Sequence, residues 1–374
     1  MSRVLTIGGF DHVDGIKLGG SFPVVIQTMW KDRLSFSDLE GSAGEQILER
    51  IGRLKQMGCA LLRFAVPDPE AAEVLGELSS RVSMPLVADI HFDYKIALRC
   101  LDYPIAKIRI NPGNIGGRDR VEKVLSKAAA KGIPIRIGVN AGSLPRDLAA
   151  GVDAGKLSQA EALVSAAERE LAIFREFDFS ARMVSMKASS VADTIRANRL
   201  LAERTDAPLH IGVTEAGPLI AGVVRNTAAL HTLLGEGIGD TIRVSLSDTM
   251  ENEVIAGREI LNTTAETSEC AGERQGAAAG KKGITIVSCP RCGRNGFDTH
   301  GFTQRWQDIL YAMDKNLTVA IMGCAVNGPG EARHADLGIS GAGNKVLIFR
   351  HGEVIRTIDA ADADAAFREE LDRL

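Results

Sequence analysis

"AKIRIN" at residues 106–111 and "PIRIGV" at residues 134–139 decide how this chain folds. In both, basic or polar residues alternate with isoleucine or valine at a period of two. That is the spacing of a β-strand whose two faces meet different surroundings. Lys107, Arg109 and Asn111 share one face, and Ile108 and Ile110 share the other. Arg136, Gly138 and Asn140 repeat the arrangement against Ile135 and Ile137. Similar runs extend outward in both directions. "VVIQTM" (24–29), "ALLRFAV" (60–66) and "PLVADI" (85–90) precede; "RMVSMK" (182–187), "PLHIGVT" (208–214) and "TIRVSLS" (241–247) follow. Helical stretches such as "GEQILERIGRLKQMG" and "ADTIRANRLLAERT" lie between them. Eight strands alternating with helices predict an N-terminal (β/α)8 TIM-type barrel over residues 1–261. A doubly wound open sheet is the competing architecture, and six strands would have favoured it.

Residues 262–283 are small, polar and glycine-bearing, and read as a linker. Residues 284–374 read as a small α+β domain. A strand, "GITIVS", runs into a C-x-x-C pair. A helix follows near residues 303–315, then a strand, "LTVAIM", runs into another cysteine. "KVLIFRHGEVIRTI" reads as a hairpin turning at "RHGE", and a short acidic helix closes the chain.

The 374 residues are 25% charged with a formal net charge of -4, which argues against a nucleic-acid or basic membrane-surface partner. No apolar run approaches the ~18 residues of a spanning helix, and the N-terminal stretch has no signal-peptide core. The expected location is cytoplasmic, where thiols stay reduced. The six cysteines are then metal ligands, catalytic thiols or packing. Cys59 and Cys100, in the barrel, read as packing, and Cys270 falls in the linker.

Cys289 and Cys292 form the C-x-x-C pair, and Cys324 follows the next strand. Three thiolates suit zinc, completed by His300 or His334, and equally suit an iron–sulfur cluster. The "NGPGEA" stretch after Cys324 tilts the balance toward iron. Its glycines let backbone approach an inorganic core, and Glu331 offers a hard oxygen ligand.

The strand ends carry the remaining candidates, where barrel enzymes keep their sites. They are Arg63, Asp89, His91, Arg109, Asn111, Arg136, Asn140, Lys187, Arg243 and Ser245. Four strands delivering cations on one parity make a positive interior that Asp89 and Glu215 cannot neutralise, so an anionic ligand is expected. Arginine forks and glycine-lined amides in "NPGNIG" and "NAGSL" suit a small, doubly phosphorylated substrate. Glu215, in "VTEAG", is the candidate acid–base group.

Taken together, "VADIHF", "KIRINPGNIG", "IRIGVNAGSL", "SMKAS", "GVTEAG", "DTIRVSLS", "CPRCGR" and "MGC" with "VNGPGEA" resemble the 4-hydroxy-3-methylbut-2-enyl diphosphate synthase family, in the family's order and over nearly the whole chain. The first strand departs from the family's usual "QSMTNT"-like stretch, reading "IQTMWKDR". With no large inserted domain, the chain resembles the compact bacterial type. The resemblance implies a [4Fe–4S] cluster held by Cys289, Cys292, Cys324 and Glu331. It implies reductive ring opening and dehydration of 2-C-methyl-D-erythritol 2,4-cyclodiphosphate in the non-mevalonate route. Electrons would come from flavodoxin or ferredoxin, and the enzyme would be a head-to-tail homodimer. Two other readings remain: a sugar-phosphate lyase or aldolase barrel with Lys187 as Schiff-base lysine and a structural zinc domain, or an iron–sulfur sensor.

Overall fold

An antiparallel hairpin comes first, β1 (Leu5–Ile7) paired with β2 (Ile16–Leu18). The sequence reading starts its pattern later, at residue 24, and has no role for this hairpin. Leu5, Ile7, Val13 and Leu18 pack against Leu61, Val87, Ala106 and Met183, which lie at or near the starts of barrel strands. The hairpin therefore stoppers the N-terminal end of the barrel with apolar side chains and leaves the other end to the site. The computed structural model describes residues 1–267, 283–290, 296–325 and 328–374.

The barrel strands are β3 (Val25–Met29), β4 (Cys59–Ala65), β5 (Leu86–Asp89), β6 (Lys107–Ile110), β7 (Ile135–Asn140), β8 (Arg182–Lys187), β9 (His210–Ile211) and β10 (Thr241–Ile242). All neighbours are parallel, in the order β8-β7-β6-β5-β4-β3-β10-β9, and a parallel bridge from Val184 to Leu209 joins the two ends. The expected eight-stranded barrel is present. Its last two strands are shorter than the runs at 208–214 and 241–247. Gly212 explains this: it has φ 156°, and a Cβ there would fall 2.3 Å from the Arg243 carbonyl oxygen. The two backbones approach too closely for an ordinary ladder, and the chain leaves the sheet. Ile108, Ile110, Ile135 and Ile137 are fully buried, as an apolar strand face requires.

The helix Met250–Thr267 runs beyond residue 262, into the segment read as linker. Thr264 holds it there: fully buried, it donates to the Ile260 carbonyl and meets His231 Nδ1 at 3.1 Å. The rest of that segment, with Cys270, lies outside the described residues.

Contacts divide the chain into two units, Met1–Ala279 and Gly280–Leu374. The second is a five-stranded sheet, β11 (Thr285–Ser288), β12 (Thr318–Met322), β13 (Leu337–Ala342), β14 (Lys345–Arg350) and β15 (Glu353–Asp359), in sequential order. The first three strands are parallel and the last two pairings antiparallel. The β14–β15 turn is tight because His351 and Gly352 both have positive φ, 49° and 85°, the requirement of a two-residue hairpin turn. Helices Thr299–Ala312 and Ala363–Asp372 bury Phe302, Trp306, Leu310, Phe367 and Leu371 against one sheet face. The first of these helices starts ahead of residue 303 because Asp298 caps it, accepting from the Gly301 amide.

Candidate active site

Alternation along the strands delivers the polar face of the barrel to one cavity of ≈ 190 Å³ at the C-terminal ends. Arg63, Asp89, His91, Arg109, Arg136, Asn140, Lys187, Arg243 and Ser245 line it, joined by Met29, Gly138, Ser185 and Thr214. Lys107 lies on the same face as Arg109 but fully buried, donating to Gln27 Oε1 at 3.1 Å. Asn111 leaves the row. It is buried as the N-cap of the short helix Pro112–Ile115 and does not line the cavity. Glu215 also stands outside the lining, exposed in the turn after β9 with φ 51°.

Asp89 is the anionic hub of one side. Arg109 Nη1 donates to its Oδ1 at 3.1 Å, and Arg63 Nε lies 3.5 Å from Oδ2. Burial works against the Asp89 charge, yet Arg63 and Arg109 hold the carboxyl below its ordinary range. Arg109 Nη1 also donates to His91 Nε2 at 2.8 Å. That nitrogen is then an acceptor, and the imidazole proton sits on Nδ1, 3.9 Å from Asp89. Burial also lowers the His91 pKa, so the ring is neutral and keeps an N–H for a ligand or for Asp89. Arg63 turns Nε and Nη2 to the Met29 sulfur, at 3.2 and 2.7 Å, and burial pulls its pKa down to about 10.

Glu253 is the hub of the other side and was missed in the sequence. It belongs to the helix Met250–Thr267 and reaches back to the strand ends. Arg243 Nε and Nη2 each donate to it at 3.1 Å, and Lys31 pairs with the same carboxylate. The one available clue was an acidic residue in the first helical turn after the last strand; Met29 and Thr214 carried no such signal.

The charges do not balance. Arg63, Lys107, Arg109, Arg136, Lys187 and Arg243 face two carboxylates, Asp89 and Glu253. Arg136 is the extreme case: it is 2% exposed, and its Nε and Nη1 have no hydrogen-bond partner among the described residues. Burial, with neighbouring cations adding to it, drives Arg136, Lys107 and Lys187 well below their ordinary pKa values. Unpaired buried donors of this kind call for an anion with several oxygens. Glycine makes the room for them. A Cβ on Gly138 would fall 2.1 Å from Arg109 Nε, and one on Gly212 would fall 2.9 Å from Lys187 Nζ.

In the second unit, Cys289 follows β11 and Cys324 follows β12. These strands are parallel neighbours, so both thiols leave the same sheet edge, and the Cys289 amide donates to the Ile321 carbonyl at 3.0 Å. Both cysteines are half-buried. Cys289 packs with Met322, Ala332, Ala335 and Phe349, and Ala332 directly follows Glu331. The backbone thus carries Glu331 to the side where Cys289 lies. Cys292 and the Glu331 side chain lie outside the described residues.

Residues 11–258 match the GcpE TIM-barrel domain, and residues 285–373 match the GcpE protein C-terminal domain. The chain belongs to the GcpE family. Among curated GcpE relatives, a 4-hydroxy-3-methylbut-2-en-1-yl diphosphate synthase (flavodoxin) of Treponema pallidum is 52% identical, covering 100% of this chain and 92% of its own length. The enzyme of the same name from Treponema denticola is 48% identical, over 100% and 99%. One from Thermodesulfovibrio yellowstonii is 42% identical, over 96% and 97%. The GcpE barrel and C-terminal domains fall in the two units described above, and the cationic cavity lies wholly in the barrel.

Proposed function

We propose that this chain is an oxidoreductase of the non-mevalonate isoprenoid route. It converts 2-C-methyl-D-erythritol 2,4-cyclodiphosphate to 4-hydroxy-3-methylbut-2-enyl diphosphate, taking up two electrons and releasing one oxygen as water. The observation that carries this reading is the cavity itself, above all the two buried donors of Arg136 that have no partner among the described residues, with four further cations in the lining. A cyclic diphosphate supplies the oxygens they lack. Arg63, Arg109, Arg136, Lys187 and Arg243 would hold the phosphates, with Asn140, Ser245 and the neutral His91 as hydrogen-bonding partners. Asp89 would keep Arg63 and Arg109 in place, and Asn111 would serve from its buried place at the start of the helix Pro112–Ile115.

The resident cofactor in this proposal is a [4Fe–4S] cluster, with Cys289, Cys292, Cys324 and Glu331 as its ligands. The donor set fits: two half-buried thiols leave one sheet edge, and the chain at Glu331 returns to the same side. When bound, the cluster would supply the electrons and an iron with a replaceable oxygen ligand. Glu215 would carry the proton that leaves with the hydroxyl. The names of the relatives support flavodoxin as electron donor. They lend nothing to a lyase with a structural zinc site, or to a sensor.

A cytoplasmic location and a head-to-tail homodimer belong to the same proposal. Among the described residues, no helix is long and apolar enough to cross a membrane. The test is anaerobic turnover: protein reconstituted with iron and sulfide is given the cyclic diphosphate and a reduced viologen. Formation of the linear allylic diphosphate is expected. Cluster-loaded protein that binds the substrate without converting it would end the enzymatic reading.

A further inference from the structure

Glu253 makes more hydrogen bonds than any charge-balancing role requires. Its side chain is 1% exposed and does not line the cavity, so it does not meet a ligand there. Thr28 Oγ1 donates to Oε2 at 2.6 Å, and the Leu246 amide donates to Oε1 at 3.1 Å. Arg243 adds Nε and Nη2, and Lys31 adds its ammonium. One carboxylate therefore ties together the end of β3, the segment after β10 and the helix that carries it. The segment after β10 includes Ser245, which lines the cavity. Arg243 spends one edge of its guanidinium on Glu253. Its Nη1, 3.6 Å from the Met29 sulfur, is left as the edge to present to the cavity it lines.

We infer that Glu253 is a positioning residue for the reaction: it fixes the edge of Arg243, and the backbone beside Ser245, that receive a phosphate oxygen. This rests on the cavity being the diphosphate site. Three roles for Glu253 predict different signs. A mere neutraliser of charge weakens the pull on an anion, so its removal tightens substrate binding. A purely structural bond network changes stability and leaves binding alone. A positioning residue loses binding when either its charge or its reach is altered.

The experiment uses cluster-loaded enzyme with Glu253→Gln, which removes the charge, and Glu253→Asp, which keeps the charge and shortens the reach. Thr28→Val is a milder variant that removes one pin from the carboxylate. Calorimetry with 2-C-methyl-D-erythritol 2,4-cyclodiphosphate and anaerobic kinetics give Kd, KM and kcat, and thermal melts report folding. Both glutamate variants should raise Kd and KM by roughly tenfold or more, with kcat changed by less than about threefold. Thr28→Val should raise them by roughly two- to fivefold, and it decides the matter if neither glutamate variant folds. Tighter binding by Glu253→Gln, wild-type binding by Glu253→Asp, or lowered melting with unaltered Kd throughout would each overturn the role of Glu253. A wild-type protein that does not bind the cyclic diphosphate would instead overturn the reading of the cavity.

Discussion

The guanidinium of Arg109 lies across Gly138, so close that a Cβ at residue 138 would fall 2.1 Å from Nε and 2.6 Å from Nη2. Arg109 Nη2 also donates to the Gly138 carbonyl at 3.2 Å. The missing side chain on β7 is what lets an arginine of β6 reach both Asp89 and His91. Gly138→Ala should therefore push Arg109 out of the cavity while leaving the second unit untouched. Calorimetry should show the cyclic diphosphate bound at least about tenfold more weakly, the loss of one charge-assisted bond. The visible spectrum of the reconstituted protein should be unaltered.

Arg136 predicts a trade of stability against binding. Two of its nitrogens are buried without partners among the described residues, which costs stability in the ligand-free protein. Arg136→Met keeps much of the volume and removes the charge. The ligand-free variant should be more stable by about 1–3 kcal/mol in urea titrations, and it should bind the cyclic diphosphate far more weakly. A variant less stable than wild type would mean that Arg136 has its partners inside the protein.

Glu170 supplies a pH signature. It is 8% exposed under the segment after β6, its Oε1 accepts from the Gly113 amide, and its Oε2 has no partner among the described residues. Burial pushes its pKa up to about 7 from 4.5. A raised folded-state pKa gives stability that is full below the unfolded value and is lost as pH rises through the folded one. The wild type should lose on the order of 3 kcal/mol between about pH 4.5 and about pH 7 from this group, and level off above. Glu170→Gln cannot titrate, so the difference between variant and wild type should grow across that window. Parallel curves in urea melts against pH would show that Glu170 is charged throughout.

Cys289→Ser and Cys324→Ser should each abolish retention of iron and sulfide, because a hard hydroxyl is a poor substitute for a thiolate on an iron–sulfur core. Cys59→Ser is the control. Cys59 is fully buried in the barrel, and burial pushes its thiol up to about 12, the behaviour of a packing residue. It should keep its iron. Metal analysis after anaerobic reconstitution distinguishes the three, and full iron content in either of the first two would remove that cysteine from the ligand set.

Much of this was legible in the chain because strand alternation is local. "KIRI" and "IRIG" already state which residues share a face, and parallel closure brings all such faces to one axis. That is why Arg63, Asp89, Arg109, Arg136, Lys187 and Arg243 stand out in the sequence and lie around one cavity. The C-x-x-C pair and Cys324 were readable for a similar reason, since each lies just past an apolar strand.

Other features depend on contacts between residues far apart in sequence, which no local period encodes. Glu253 meets Thr28 and Lys31 across more than 220 positions, and nothing in "TMENEV" announces that a first-turn glutamate will be buried beneath the barrel mouth. The stopper hairpin at Leu5–Leu18 is too short to show a pattern and acquires its role only by covering the barrel floor. Asn111 kept the alternation yet left the cavity, because the chain turned into a helix one residue later and placed it at the helix start. Alternation and composition therefore determined the architecture, the sign of the cavity's charge and most of the residues around it. Tertiary structure alone decided which carboxylates hold those cations and which donors remain unpaired, because pairing over such distances is settled only when the strands close.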